Sequence, residues 1–381
     1  MRGIRAVPVL ALGLLSGCVT QGAGTQEVGA PSAHARAPSE ISRDLPESIQ
    51  RDVRIRSGDV YLAGVVTLPD PRGLAPAVVL VSGSGPQDRD GATADFLPGY
   101  RPSKNLADRL ALDGIASLRH DERGVGESTG VHSSASIEDL ADDAAVAFEY
   151  LQTVDGVDPE RVGLLGHSEG SNIVAMIAAR NPDVAFVVSL AGPGVTGSAL
   201  GIAQGEHALR MAGLEGAEFE AGMADVRRQY ELVVNGEWDE LESMMREALP
   251  AQLDAMSAEE RARLGSVDTI VADELTHMQN RARFFLTHDP AEDWARVRSP
   301  ILALLGELDV QVTVDQNQAP LEHAFRRSPS DDWTIHVVPQ ANHLFQMAKT
   351  GRIDEYFTLP PSIDPDVLGA ISRWIRDHTR R

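Results

Sequence analysis

The strongest constraint on the fold is an alternation of short, mainly apolar runs with amphipathic segments of helical period. The runs have the length of strands buried on both faces, and they occur at residues 77–81, 115–118, 161–165, 186–190, 301–305 and 333–338. A helical pattern such as that at 137–151 carries one apolar stripe. Because strands and helices that alternate at this spacing form βαβ units, the sequence predicts an α/β fold with a doubly wound, mostly parallel sheet.

One long segment interrupts this alternation. Between Gly194 and Arg298 no strand-like run occurs, and apolar residues recur at helical spacing. We therefore predict a helical lid insertion at residues 195–298, with residues 51–194 and 299–381 forming the α/β core. Six of the 9 methionines lie in this insertion. They either line an adaptable apolar pocket for acyl chains or form the ordinary core of small helices.

Residues 1–17 have the pattern of an export signal. Two arginines precede an apolar run at 6–15, which is too short for a membrane-spanning helix. The sequence Leu15-Ser16-Gly17-Cys18 that follows resembles the lipobox of bacterial lipoproteins. The resemblance implies cleavage before Cys18, lipidation of Cys18, and an exported protein that is lipid-anchored to a membrane of the bacterial cell envelope. An ordinary secretory signal with a chance cysteine is the alternative.

The next segment, residues 18–50, is expected to be a flexible tether. It is rich in Gly, Ala, Pro and Ser and contains few apolar anchors. Order is expected to begin near Arg51. There, residues 53–56 and 61–68 alternate apolar and polar side chains around Ser57-Gly58-Asp59, which predicts a β-hairpin.

The composition excludes several classes of protein. The 381-residue chain has a formal net charge of -22. Such a chain repels phosphate backbones, so we expect no nucleic-acid partner. The single cysteine allows neither an intramolecular disulfide nor a cysteine metal cluster. The glycines at 124–130 lack the G-x-G-x-x-G spacing of a dinucleotide site, and we predict neither a cofactor nor a metal.

A five-residue motif, Gly166-His167-Ser168-Glu169-Gly170, joins a strand-like run to a helical pattern. A serine hydroxyl is a weak nucleophile unless it is held exposed beside a base. A sharp strand-to-helix turn holds it in this way, and crowding at the turn requires small residues two positions before and after the serine. The motif alone also occurs by chance. In this setting it predicts that Ser168 is the nucleophile of a serine hydrolase.

The base and the acid that would activate Ser168 are expected later in the chain. The base should follow the last strands, and His343 comes directly after the run at 333–338, whereas the other histidines are less suitably placed. The acid should lie between the serine and the histidine in chain order. Asp309, just after the run at 301–305, is our prediction, and Glu307 is the alternative.

Acyl transfer also requires backbone N–H groups that stabilise the oxyanion. One is expected from Glu169, the residue after the nucleophile. The other is expected from the loop Ser82-Gly83-Ser84-Gly85-Pro86, where we favour Ser84 because the flanking glycines allow amides to point inward. A plain glycine turn is the alternative.

Several of these segments resemble signatures of the α/β-hydrolase superfamily, in its bacterial serine esterase branch (dienelactone-hydrolase-like or serine-aminopeptidase-like). The resemblance extends from about Ala77 to Trp374, and its motifs are residues 83–90, 121–128, the elbow around Ser168, Gly306-x-x-Asp309 and Asn342-His343. It implies an α/β-hydrolase fold, with these positions serving as oxyanion loop, scaffold loop, nucleophile, acid and base. True dienelactone hydrolases use a cysteine nucleophile, which this chain replaces with serine.

Outside the predicted triad, the residues themselves lead us to expect a structural ion pair between Asp121 and Arg123.

The expected activity is hydrolysis of carboxylic esters with small to medium acyl groups, through a Ser-His-Asp triad and an acyl-enzyme intermediate. An exported peptidase of the same fold is the first alternative. Its substrate amine would be bound by a set of acidic residues that otherwise form solvated helix faces, namely Glu206, Glu215, Glu218 and Glu220. A non-catalytic ligand-binding protein with a hydrolase fold is the second.

Overall fold

A computed structural model of the protein describes residues 49–69, 73–93, 96–257, 261 and 264–380. The predicted signal peptide, Cys18 and the predicted tether up to residue 48 lie outside these residues. The first strand already begins at Ile49, because Ile49 and Gln50 pair with Leu68 and Thr67. The predicted end of the tether at residue 50 is therefore wrong by two residues. Among the described residues, no helix combines the length and apolar character needed to cross a membrane.

A single eight-stranded sheet organises the chain. Its strands are β1 (Ile49–Ser57), β2 (Val60–Leu68), β3 (Ala75–Val81), β4 (Ala116–His120), β5 (Val157–His167), β6 (Val187–Leu190), β7 (Ile301–Gly306) and β8 (Trp333–Val338). They lie in the order β1-β2-β4-β3-β5-β6-β7-β8. β2 pairs antiparallel with β1 and β4, and all the other pairs are parallel. The predicted doubly wound, mostly parallel sheet is confirmed.

Helices cover both faces of this sheet. Their bounds are α1 (Pro102–Leu112), α2 (Ile137–Gln152), α3 (Glu169–Arg180), α4 (Gly197–Met211), α5 (Gly216–Asn235), α6 (Trp238–Ala255), α7 (Val267–His277), α8 (Arg283–Thr287), α9 (Pro290–Trp294), α10 (Val314–Arg327), α11 (Ile353–Tyr356) and α12 (Pro365–His378). Apolar residues of α1 and α12 pack on one face. Those of α2, α3, α9 and α10 pack on the other.

The central strands are apolar on both sides because both of their faces are buried. In β5, Leu164 belongs to the core cluster under α2 and α3, whereas its neighbour Leu165 belongs to the cluster under α1 and α12. This alternation follows the two-residue period of a strand. Since the strands from β3 to β8 run parallel, their carboxyl ends and the loops that follow them meet at one edge of the sheet, where ligands bind in open α/β folds.

The segment between β6 and β7 is helical, with no strand among its described residues. Helix α5 ends at Asn235, and the next residue, Gly236, caps it in a left-handed conformation with φ of 73°. Met223, Met245 and Met278 are buried in the packing between these helices. For these three methionines the helix-core interpretation is therefore correct, and none of them lines the cavity described below.

Candidate active site

Ser168 occupies a one-residue turn between β5 and α3. Its backbone has φ of 53° and ψ of -119°, a conformation that costs a residue with a side chain about 1–3 kcal/mol. The flanking glycines make the turn possible by sterics. A Cβ atom at Gly166 would overlap the carbonyl oxygen of Gly170, and one at Gly170 would overlap that of Ser82. The turn therefore holds Ser168 at the carboxyl end of the sheet with its side chain clear of the backbone.

His343 and Asp309 are brought together at the same edge of the sheet. Nδ1 of His343 donates a hydrogen bond of 2.8 Å to Oδ2 of Asp309. The other carboxylate oxygen of Asp309 accepts from the backbone amides of Gln311, at 2.8 Å, and Val312, at 2.9 Å. Both side chains are buried. Since Nδ1 is engaged by the carboxylate, Nε2 of His343 is the ring nitrogen left for proton transfer.

Glu307, the alternative acid, has a different partner. Its side chain is exposed, and its Oε2 accepts a hydrogen bond of 2.8 Å from the backbone amide of Gln340. Gln340 has a left-handed conformation with φ of 59°, so this bond stabilises the turn that leads out of β8. Of the two candidate acids, the structure places Asp309 against His343.

The loop that carries His343 is fixed by its neighbours. The side-chain oxygen of Asn342 accepts from the backbone amides of Leu344 and Gln346, each at 3.0 Å. The hydroxyl of Tyr100 donates to the carbonyl oxygen of Leu344 at 2.9 Å. Asn342 and Gln346 are buried, so these hydrogen bonds are shielded from water and position the imidazole before any ligand arrives.

His167 also contacts His343, a role that our reading of the sequence missed. Its Nε2 donates a hydrogen bond of 2.9 Å to the carbonyl oxygen of His343, and the two rings lie 4.9 Å apart between centroids. A carbonyl only accepts, so the hydrogen of His167 must be on Nε2. Burial, and secondarily the nearby His343, lower the pKa of His167 to about 4. The only signal in the sequence was its position next to Ser168.

Ser168 and His343 line one cavity of about 120 Å³, together with Ser84 and His167. Its other walls include the apolar side chains of Phe96, Leu97, Leu200, Phe285 and Ile353. None of the described residues that line this cavity is an aspartate, glutamate, lysine or arginine. The site therefore combines a hydroxyl and an imidazole with a mainly apolar, uncharged surface.

The predicted oxyanion loop lies at this cavity. Ser84 lines it, and the carbonyl oxygen of Ser84 accepts a hydrogen bond of 3.1 Å from the side chain of Gln87. The backbone amide of Gln87 in turn donates a hydrogen bond of 3.2 Å to Oε2 of Glu122. Glu169 is the first residue of α3, and the start of a helix is suited to stabilising a negative charge.

The prediction of an ion pair between Asp121 and Arg123 is wrong. Asp121 instead binds Arg89, whose Nη2 and Nε donate hydrogen bonds of 2.6 and 3.0 Å to its two oxygens. Arg123 points to α2, where its Nε donates to Asp143 at 2.7 Å. Burial favours a higher pKa for Asp121, but the hydrogen bonds from Arg89 and from the amide of Glu127 leave that pKa below its ordinary value. The pair ties the loop after β4 to the end of the predicted oxyanion loop.

Because folded His167 stays neutral down to about pH 4, we expect the free energy of unfolding to depend on pH. An unfolded histidine binds a proton below about pH 6.5, whereas folded His167 does so only near pH 4. Between about pH 6.5 and pH 4, the unfolded state therefore binds more protons at this histidine than the folded state does. The stability that His167 contributes above pH 6.5 is lost as the pH falls to 4. The expected loss is about 3 kcal/mol of unfolding free energy, measurable by urea denaturation at pH 7 and pH 4.

The variant His167→Gln keeps an N–H donor but does not titrate, so its stability should fall by about 3 kcal/mol less over this pH range. The matched control is His323→Gln, the same substitution at an exposed histidine, which measures the effect of replacing a histidine by glutamine away from the site. An unchanged pH dependence in His167→Gln would show that His167 is not held neutral.

Comparison with known proteins agrees with this architecture. A family model described as serine aminopeptidase, S33, matches residues 100–348. Esterase EstD of Thermotoga maritima is 24% identical over 332 residues, which are 87% of this chain and 68% of that protein. The quorum-quenching protein AidA of Acinetobacter baumannii is 30% identical over 139 residues, or 36% of this chain and 42% of that protein.

Among solved structures, an esterase of Pyrococcus furiosus superposes with a TM-score of 0.52 at 14% sequence identity. The superposition covers 94% of this chain and 100% of the other, and at this identity it supports the fold alone. The family model, in contrast, spans well over half of the chain and includes the segments that carry Ser168, Asp309 and His343. The chain therefore belongs to the serine aminopeptidase S33 family and has the α/β-hydrolase fold.

Proposed function

We propose that the protein hydrolyses carboxylic esters, with Ser168 as nucleophile, His343 as general base and Asp309 as the acid that orients it. The observation that carries this proposal is the 2.8 Å hydrogen bond between His343 and Asp309, located at the cavity that Ser168 also lines. The strained turn at Ser168 supports it, because strain of this kind is retained where a nucleophile must be presented.

In the first half of the reaction, Oγ of Ser168 attacks the ester carbonyl carbon while Nε2 of His343 accepts the hydroxyl proton. Asp309 stabilises the imidazolium that forms. The amides of Ser84 and Glu169 would stabilise the oxyanion. Among the described residues the Ser168 hydroxyl makes no hydrogen bond, and catalytic contacts of this kind commonly tighten when substrate binds.

In the second half, the tetrahedral intermediate collapses and the imidazolium of His343 gives its proton to the departing alcohol oxygen. The acyl group remains on Ser168. Water then attacks the acyl carbon, His343 accepts a proton from that water, and the Ser168 hydroxyl is restored as the carboxylic acid leaves. Each proton that His343 receives is returned, so the proton transfers of the cycle balance with these side chains and water.

The uncharged lining of the cavity favours esters over aminopeptidase substrates. A carboxylate binds a protonated substrate amine more strongly than an uncharged acceptor does, and the described lining of this cavity contains no carboxylate. The four glutamates considered for this role, Glu206, Glu215, Glu218 and Glu220, line neither this cavity nor the one next to it. The name of the Thermotoga maritima relative, an esterase, points the same way.

We further propose that residues 195–298 act as a lid. Leu200 and Gln204 of α4 and Phe285 of α8 reach the cavity from this segment. Covering the cavity with apolar helices would exclude water from the oxyanion and strengthen its hydrogen bonds. The small size of the cavity supports acyl groups of small to medium length.

Substitution of the nucleophile tests the proposal most simply. Ser168→Ala should lower kcat/KM for p-nitrophenyl acetate and butyrate by about 10⁴-fold or more, because the variant lacks the hydroxyl on which the acyl-enzyme would form. The wild type should act poorly on aminoacyl p-nitroanilides. Full esterase activity in folded Ser168→Ala protein would refute the role of Ser168, and a preference for the anilides would favour a peptidase.

The two candidate acids provide a matched pair of variants. Asp309→Asn should reduce kcat/KM by about 10⁴-fold, since an amide cannot stabilise the imidazolium in the same way. Glu307→Gln makes the same chemical change two residues away and retains an oxygen for the Gln340 amide, so its activity should stay within about twofold. Equal losses in the two variants would contradict the assignment of Asp309.

For localisation, we propose that the protein is exported and anchored through a lipidated Cys18. In a bacterial host the wild type should incorporate a palmitate analogue and sediment with membranes, because several acyl chains anchor stably. Cys18→Ala should lose both the label and the sedimentation. Unlabelled wild-type protein in the soluble fraction would instead indicate an ordinary secretory signal.

A further inference from the structure

The cavity at Ser168 adjoins a second, larger one. We refer to them as the Ser168 chamber, of about 120 Å³, and the outer chamber, of about 320 Å³. They share three wall residues, Gln204, Gln311 and Ile353. Ligand sites commonly measure about 300–1,000 Å³, so the Ser168 chamber alone is small for most substrates. A larger ester must extend into the neighbouring space.

The outer chamber lies on the acid–base side of the site. The amide of its wall residue Gln311 donates to Asp309, and the Gln311 side chain donates to the hydroxyl of Tyr356 at 3.2 Å. Ile353 begins α11, which follows the loop that carries His343. In ester hydrolysis His343 must reach the departing oxygen. The alcohol portion of the substrate therefore points to the side on which the outer chamber lies.

The chemistry of the outer chamber fits an uncharged chain. Met211, Val310 and Ile353 contribute apolar surface. The charge of Arg352 is matched by Asp354, which accepts from Nε and Nη2 of Arg352 at 2.9 and 3.1 Å. Burial, and secondarily Arg352, lower the pKa of the nearby His207, which favours its neutral imidazole. The walls therefore carry no net charge.

We propose that the outer chamber binds the alcohol portion of the ester, and that the substrates are esters of uncharged, medium-length aliphatic alcohols. This inference rests on the proposed esterase function. The side chain of Gln204 donates a hydrogen bond of 3.0 Å to the carbonyl oxygen of Gln311, and this bond forms the partition beside which the alcohol chain passes.

The test compares three esters: ethyl acetate, octyl acetate and ethyl octanoate. Ala208 lies in α4 and lines the outer chamber but not the Ser168 chamber, so Ala208→Trp places a large side chain in the outer chamber alone. The variant should lower kcat/KM for octyl acetate by at least about 10-fold. Its values for ethyl acetate and ethyl octanoate should stay within about twofold of the wild type.

Two further variants make the result specific. Ala199→Trp introduces the same side chain at an exposed position of the same helix that lines neither chamber, and it should leave all three rates unchanged. Gln204→Ala removes the partition and should raise the ratio of the octyl acetate rate to the ethyl acetate rate. A fall in that ratio would overturn the inference.

The remaining outcomes are also decisive. Equal slowing of all three esters by Ala208→Trp would show that the outer chamber does not select the alcohol. Selective slowing of ethyl octanoate would assign the chamber to the acyl chain and overturn the proposal. If the wild type hydrolyses none of the three esters at a rate above Ser168→Ala, the esterase function itself fails, which is a different result from a change in selectivity.

Discussion

The one-residue turn at Ser168 is the constraint on which the site depends. A residue with a side chain is held at φ of 53°, and this conformation persists only where the surrounding structure determines it. The central strand β5 provides that support, since it pairs with β3 and β6 and is buried on both faces. Gly166 and Gly170 lie against backbone atoms so closely that neither tolerates a side chain.

Hydrogen bonds around His343 fix the imidazole at the same edge of the sheet as Ser168. Asp309 fixes one ring nitrogen, and two backbone amides hold Asp309 in place. His167 donates a hydrogen bond to the carbonyl oxygen of His343, so the turn at Ser168 and the loop that carries His343 are joined directly. Because Asp309 and His343 are buried, their hydrogen bonds are shielded from water and hold both groups in place before substrate binds. Preorganised polar groups of this kind would lower the barrier of the proposed acyl transfer.

Much of this arrangement could be predicted from the sequence because it follows from topology. Parallel strands end at one edge, so residues that follow β5, β7 and β8 had to meet there, and Ser168, Asp309 and His343 are such residues. Features that depend on side-chain direction could not be predicted in this way. Arg123 is two residues from Asp121 but points to α2, leaving Arg89 as the partner. The outer chamber depends on how α4 packs over residues 352–354 at the start of α11, which no local pattern specifies.

The most direct measurement of the central claim is covalent labelling with a fluorophosphonate, which reacts with a serine only when a base and an oxyanion site activate it. Peptide mapping by mass spectrometry after labelling should find the phosphonyl group on Ser168, and labelling should be largely lost in Asp309→Asn. A folded protein that remains unmodified, or that carries the label on a residue other than Ser168, would contradict this account.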